Sequence, residues 1–423
     1  MLLRARTLLP LLGDPIADGA LWLENGRVQA VGPWSELVHT CPGPALDLGE
    51  VTVHPGWVNA HCHLDLTDLA GQIAPPKSFS GWIKSLLTAK SDWSFSEFAA
   101  SWLRGAGQLL RTGTTTVANI ESVPEMLADV RACTPLRVWS MLELTGVRRR
   151  RDPAQLLANA VEILDQLPIL RGGIGLSPHA PYSTPPTLLR LAADAARQRG
   201  WPITTHIAES TEEFEMFVRR SGPMFDWLAG QRAMEDCGLG SPISHCDRHG
   251  LLSRGLIAVH ANLLWRNDIA LLAASGASVA HCPQSHDYFR HPRFPLPELM
   301  AAGVNVCLGT DSLASTRNLR WRRPTLAMTD ELRSFNRHNT GLTPRETLTL
   351  ATRNGARALG LAGLAGEFHP GAWADLAVIP YSGPLETSEE AAMEHSGDVL
   401  ATMIDGEWVW QAPEYSVGLH RHL

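Results

Sequence analysis

The chain has 423 residues, of which 44% are hydrophobic and 19% charged, with a formal net charge of −7. This is an ordinary globular balance, which excludes global disorder, collagen and coiled coil. It also argues against nucleic acid as a main partner, since no surplus of basic residues is present to neutralise a phosphate backbone. No apolar run approaches the ~20 residues of a membrane span, and the start, Met1 to Pro10, is too short and interrupted for a secretion signal. Seven cysteines without a CxxC pair argue against a disulfide framework and fit a reducing cytoplasm.

Residues 20–32 read as two short strands about an Asn25-Gly26 turn, a strong hairpin signal. Eight Val-, Ile- and Thr-rich runs follow, at 51–59, 114–120, 136–142, 173–177, 203–206, 256–260, 278–281 and 304–308. Segments with helical spacing and Pro or Gly punctuation separate them, such as 186–200 and 344–360. Residues 374–379 and 399–410 then repeat the hairpin pattern of the start. Isolated hairpins are marginal in water, so the two terminal sets are expected to pair. The expected fold is α/β: a (β/α)8 TIM-type barrel over 53–367, with a small β-sandwich domain built from 1–52 and 368–423. A doubly wound open sheet is the runner-up, but no Gly-rich phosphate loop follows the first strand.

The chemistry-bearing residues sit where these runs end, the face on which such a barrel carries its site. His61 and His63 flank Cys62, and side-chain alternation in extended chain points both imidazoles the same way while Cys62 turns to the core. His206 ends the fifth run, His260 the sixth and His281 the seventh, and Asp311 follows the eighth. Buried charge is costly unless it is paired or holds a metal. Three imidazoles (His61, His63, His206) and one carboxylate (Asp311) suit one divalent ion with an open water position, zinc first and ferrous iron second. Glu209, three residues past His206, turns into the same pocket as a proton shuttle, and His260 is placed to polarise the reacting group. His281 reads as a hydrogen-bonding support for Asp311 or a ligand.

Taken together, His61-Cys62-His63, Thr205-His206-Ile207-Ala208-Glu209, Val259-His260 and Leu308-Gly309-Thr310-Asp311-Ser312 resemble the amidohydrolase superfamily. The branch resembled holds chlorohydrolases, cytosine and guanine deaminases, and S-adenosylhomocysteine/5′-methylthioadenosine and aminofutalosine deaminases. The resemblance implies that His61, His63, His206 and Asp311 hold a single metal, that Glu209 protonates a ring nitrogen, and that His260 contacts the attacking water or the substrate. It also implies a substrate contact for His179, in Ser177-Pro178-His179-Ala180-Pro181-Tyr182-Ser183. Binuclear members bridge two metals with a lysine, or sometimes a glutamate, on strand three or four. The only lysines here, Lys77, Lys84 and Lys90, precede the second run, leaving Glu143 as the one nearby acid for such a role.

Three further residues are expected at the substrate. Trp82, in a loop-to-helix segment after the first run, either stacks on a ring or packs. Arg148, first of four consecutive arginines, either binds substrate or lies on a solvated face. His286 follows the seventh run. Segment 211–254 is long for a β–α connection and reads either as an added surface helix or as part of the pocket, with His245 and His249 read as surface residues. The expected activity is metal-dependent deamination of a purine-like or nucleoside-like small molecule in the cytoplasm. Hydrolysis of another C–N or C–Cl bond and a silent barrel scaffold are the alternatives. The resemblance further implies a homodimer.

Overall fold

The computed structural model describes residues 1–147, 151–317 and 323–415. Two eight-stranded sheets organise them. The first draws on both chain ends: β1 (Leu2–Leu8), β2 (Ile16–Glu24), β3 (Arg27–Pro33), β4 (Ala45–Asp47) and β5 (Val51–Pro55), joined by β14 (Leu376–Pro380), β15 (Ala401–Ile404) and β16 (Glu407–Gln411). Its order is β16-β15-β14-β5-β1-β2-β3, with β4 parallel to β1. The two hairpin turns have the backbone that their sequences ask for. Asn25 (φ 50°) with Gly26 (φ 71°), and Asp405 (φ 52°) with Gly406 (φ 77°), place both central residues at positive φ, as a tight hairpin requires.

The second sheet is the barrel. It runs in chain order through β6 (Trp57–Cys62), β7 (Thr114–Glu121), β8 (Arg137–Leu144), β9 (Gly172–Pro178), β10 (Ile203–Ile207), β11 (Leu256–His260), β12 (Ser278–His281) and β13 (Asn305–Leu308), all parallel. Seven of the eight expected runs match these strands closely. The first, 51–59, is corrected: it is two strands in two sheets. The chain leaves β5 and enters β6 across Gly56, where a Cβ would fall 2.2 Å from the Thr115 side chain. Only glycine lets the backbone pass that close, and the alternation pattern carries no mark of the change of sheet.

The barrel closes at its functional end. Cys62 bridges Asp311, the Asp311 amide donates to the His61 carbonyl at 3.1 Å, and the His63 amide donates to the Asp311 carbonyl at 3.4 Å. Gly309 permits this approach, because a Cβ there would stand 2.8 Å from His61. First and last strands therefore meet through the residues that carry the chemistry.

The expected helix over 186–200 is present as Pro186–Arg199, stopped by Gly200 at φ 65°. The stretch 344–360 is broken into Pro344–Leu350 and Arg353–Ala358. At the break the Ala351 carbonyl accepts from the Val58 amide at 2.9 Å, so a barrel strand takes the bond that a continuous helix would have kept. No helix among the described residues is long and apolar enough to cross a membrane.

Candidate active site

Strand ends deliver the polar groups to one point. His61, His63 and His206 each offer a ring nitrogen within 4.8 Å of the others. The Nε2 atoms of His63 and His206 lie 3.2 Å apart. Asp311 Oδ1 stands 3.6 Å from His61 Nε2 and from His63 Nε2. His206 Nδ1 donates to the His179 carbonyl at 2.8 Å, which turns its Nε2 lone pair toward His63. His61 is fully buried with neither ring nitrogen hydrogen-bonded. An imidazole with two orphaned buried nitrogens is costly, and a cation among these donors would satisfy the Nε2 atom that faces Asp311. The donor set thus fits the divalent metal expected from the sequence.

Burial, reinforced by His61, pushes His63 and His206 well below the usual imidazole range, so both stay neutral and free to coordinate. The two carboxyls beside them are driven apart. Burial alone would raise Asp311, but the neighbouring His61 and His260 imidazoles hold it well below the carboxylate range. Burial raises Glu209 well above that range, and the charges of Asp311 and Glu213 add to the effect. The two carboxyls are thus pushed in opposite directions, the division that acid–base chemistry uses. His260 Nε2 lies 3.5 Å from Glu209 Oε1.

The backbone is strained where it aims these groups. Ala208, His260, Ala261 and Asp311 all have positive φ without being glycine, which costs about 1–3 kcal/mol each. Local bonds hold the turns: the Ala261 amide donates to the Ile207 carbonyl and the Leu263 amide to the Ala208 carbonyl, both at 3.0 Å.

Three supporting residues escaped the sequence reading. Asn59 sits two residues before His61 on the same strand face. Its amide nitrogen donates to Thr310 Oγ1 at 2.7 Å, and its oxygen accepts from the Thr310 amide at 3.1 Å, tying β6 to the loop that carries Asp311. Glu213 accepts from the Glu209 amide at 2.8 Å. Glu212 accepts from the amides of Phe79 and Ser80 at 2.6 and 3.1 Å, capping the Phe79–Ala89 helix. The Ser210-Thr-Glu-Glu213 spacing, which resembles a capping box, was the one available signal, and it pointed to Glu213 only.

His179 reaches the cluster from the end of β9. Its Nδ1 bonds Ser183 Oγ at 2.6 Å and its ring centroid is 4.9 Å from that of His206. Glu143 lies 3.9 Å from His179 Nε2, outside the His61–His63–His206 group. His286 is one hydrogen bond further out: its Nδ1 meets Asn262 Oδ1 at 3.1 Å, and the Asn262 amide donates to the Glu209 carbonyl at 3.1 Å. Trp82 packs in an apolar cluster with Phe79, Tyr182 and Tyr288, its ring 4.9 Å edge-on from Phe289. Arg148 lies outside the described residues. His281 stacks on Phe294 at 3.9 Å rather than bonding Asp311. Cys62 is buried in the core.

Segment 211–254 joins the pocket side. Phe217, Met224 and Leu228, from its helices Thr211–Arg219 and Pro223–Leu228, belong to the cluster that holds Trp82. The surface reading of His245 is corrected. It is fully buried on the inner face of the Pro242–Arg248 helix, 4.7 Å from the Phe217 ring, and burial pushes its pKa to about 3.

Comparison with known proteins agrees with this geometry. The sequence profile of the amidohydrolase family matches residues 52–409. A 5-methylthioadenosine/S-adenosylhomocysteine deaminase of Nitratidesulfovibrio vulgaris (strain Miyazaki F) is 32% identical over 415 residues, covering 94% of this chain and 88% of its own. An aminodeoxyfutalosine deaminase of Deinococcus radiodurans is 29% identical, covering 82% of this chain and 83% of its own. The solved structure of an adenosine deaminase from Xanthomonas campestris with bound zinc superposes with a TM-score of 0.83 at 26% identity, over 98% of this chain and 94% of that one.

Proposed function

The chain belongs to the amidohydrolase family and is a hydrolase; from that premise we propose that it removes the exocyclic amine from the purine-like ring of a nucleoside, releasing ammonia. The observation that carries this reading is the convergence of His61, His63 and His206, with ring nitrogens within 4.8 Å of one another, on Asp311 3.6 Å from two of them, with Glu209 3.5 Å from His260 beside them. His61, His63, His206 and Asp311 would hold the ion, which we take to be zinc. Once bound, it supplies Lewis-acid activation of water for attack on the ring.

The protein's own groups move the protons. Protonated Glu209 donates to the ring nitrogen beside the carbon bearing the amine, and ionised Asp311 accepts one proton of the incoming water. His260, 3.5 Å from Glu209, orients the water by hydrogen bonding. Asp311 then passes its proton to the amine, which leaves as ammonia, and the remaining hydroxyl proton returns to Glu209. Both groups end as they began. We take His179 and His286 as substrate contacts.

The test combines metal analysis with an ammonia-release screen over adenosine, 5′-methylthioadenosine, S-adenosylhomocysteine, guanine and cytosine. The expected result is about one zinc per chain, ammonia from an adenine nucleoside, and loss of turnover on chelation with recovery on zinc addition. A metal-loaded, folded protein that releases ammonia from none of the adenine compounds overturns the proposed substrate. A protein that takes up no transition metal overturns the mechanism.

A further inference from the structure

A cavity of about 670 Å3 opens between the Pro283–Phe289 helix that follows β12 and the Met328–His338 helix. Among the described residues, five arginines line it against two aspartates, in a chain whose net charge is −7. The aspartates are already engaged: Asp287 meets His338 Nε2 at 2.9 Å, Arg337 at 3.2 Å and Ser334 Oγ at 2.7 Å, and Asp330 meets Arg333. Arg317 donates to the Asp287 carbonyl at 2.9 Å, which neutralises nothing. No carboxylate of the described residues lies in ion-pair range of Arg290 or Arg323. Arg290 and Arg323, both exposed, therefore have guanidinium forks free of described counter-charge, and such a fork matches the planar oxygens of an anion. One lining residue, His286, is joined through the Asn262 side chain to the Glu209 carbonyl, so a hydrogen-bond relay runs from this cavity to the backbone of the candidate acid.

We propose that this cavity binds the carboxylate or phosphate group of an anionic small molecule, with Arg290 and Arg323 as its principal donors. The group belongs either to the substrate's own tail, an arm that rests on the deaminase reading, or to a separate anion. Direct binding is tested first, on the metal-loaded full chain, by the shift in unfolding midpoint with inorganic phosphate and, separately, succinate. At least one of them is expected to stabilise the wild type. R290A/R323A should lose that shift, and R290K/R323K, which keeps the charge, should retain most of it. Absence of a shift with both anions, or an equal shift in R290A/R323A, overturns the proposal.

Kinetics then separate the two sources. If the group is the substrate's, R290A/R323A lowers kcat/KM for adenosine 5′-monophosphate by about tenfold, the scale of losing charged hydrogen bonds at an accessible site, and leaves 5′-methylthioadenosine unchanged. If neither substrate responds while anion binding is lost, the site serves a free anion and the proposal stands. A protein that binds the anion through these arginines yet deaminates no nucleoside keeps this proposal and removes the deaminase reading.

Discussion

At the first residue of β8, Arg137 meets Asp375 at 2.9 Å and pairs with Asp405, which Arg171 also holds at 2.9 Å; the Arg137 guanidinium lies 3.8 Å over the Trp373 ring. At the other end of the barrel, His61 has two buried nitrogens without partners, burial raises the Glu209 carboxyl well above its ordinary range, and four non-glycine residues sit at positive φ. Both regions bury ionisable groups between β-strands. The first satisfies them and so fastens the terminal sheet to the barrel. The second leaves them unsatisfied and strained, which a fold tolerates only where surrounding structure enforces it. Of these two regions, the paired one is architecture and the unpaired one carries the chemistry.

The sharpest way to break this contrast is to neutralise the acid. Glu209→Gln is expected to lower kcat by about 10²–10⁴, the usual worth of a positioned general acid–base, without loss of fold. Steady-state ammonia release and a denaturation midpoint measure the two together. Undiminished turnover would remove Glu209 from the proposed proton path.

The complementary change is Arg137→Ala. It strands Asp375 as a buried charge, because both side chains are almost wholly enclosed, and breaking such a pair costs about 3–5 kcal/mol. Urea unfolding should reveal the loss, while kcat per folded molecule holds. A large fall in kcat with unchanged stability would reverse the roles given to the two ends.

Sequence reading reached the second region better than the first. Seven barrel strands were legible because the Val-, Ile- or Thr-rich runs are short, mostly buried and bounded by helical spacing. The His61–His63 pair was legible because strand alternation points them alike. Gly56 was silent: its need for close approach arises from Thr115, a residue of the next strand. The pairing of Arg137 with Asp375 spans 238 positions, and no local pattern encodes it. Burial of His245 was missed for a related reason, since its helix is covered by Phe217 from another helix of the same long connection.

Glu213 allows a finer test at the site end. Burial raises its carboxyl to about 7, opposed by backbone amides, the first of them that of Glu209. A carboxyl with a raised folded pKa gives stability that is present below its unfolded value near 4.5 and is lost as pH rises through about 7. Glu213→Gln should therefore gain stability relative to wild type as pH rises from 5 to 7, by up to about 1 kcal/mol per unit. Its kcat should fall by about tenfold or less, because Glu209 loses support but not its carboxyl. A stability difference that stays flat with pH would show that Glu213 does not hold a proton in the folded protein.

The smallest effect is expected from Glu212, whose carboxylate caps the helix bearing Trp82. Glu212→Ala leaves two helix N-terminal amides without their acceptor, though Ser78 Oγ still accepts from the Gly81 amide at 3.2 Å. Loss of one such cap costs about 1 kcal/mol, so the protein should remain folded. The cap also ties the Phe79–Ala89 helix to the turn that follows Glu209. Loosening it should shift Trp82 and the apolar cluster over the pocket rather than the imidazoles below. KM should rise a few-fold with kcat held, and Trp fluorescence should report the movement. A drop in kcat at constant KM would instead place Glu212 in the acid–base machinery, extending the region of unsatisfied chemistry outward from the strand ends to the helices above them.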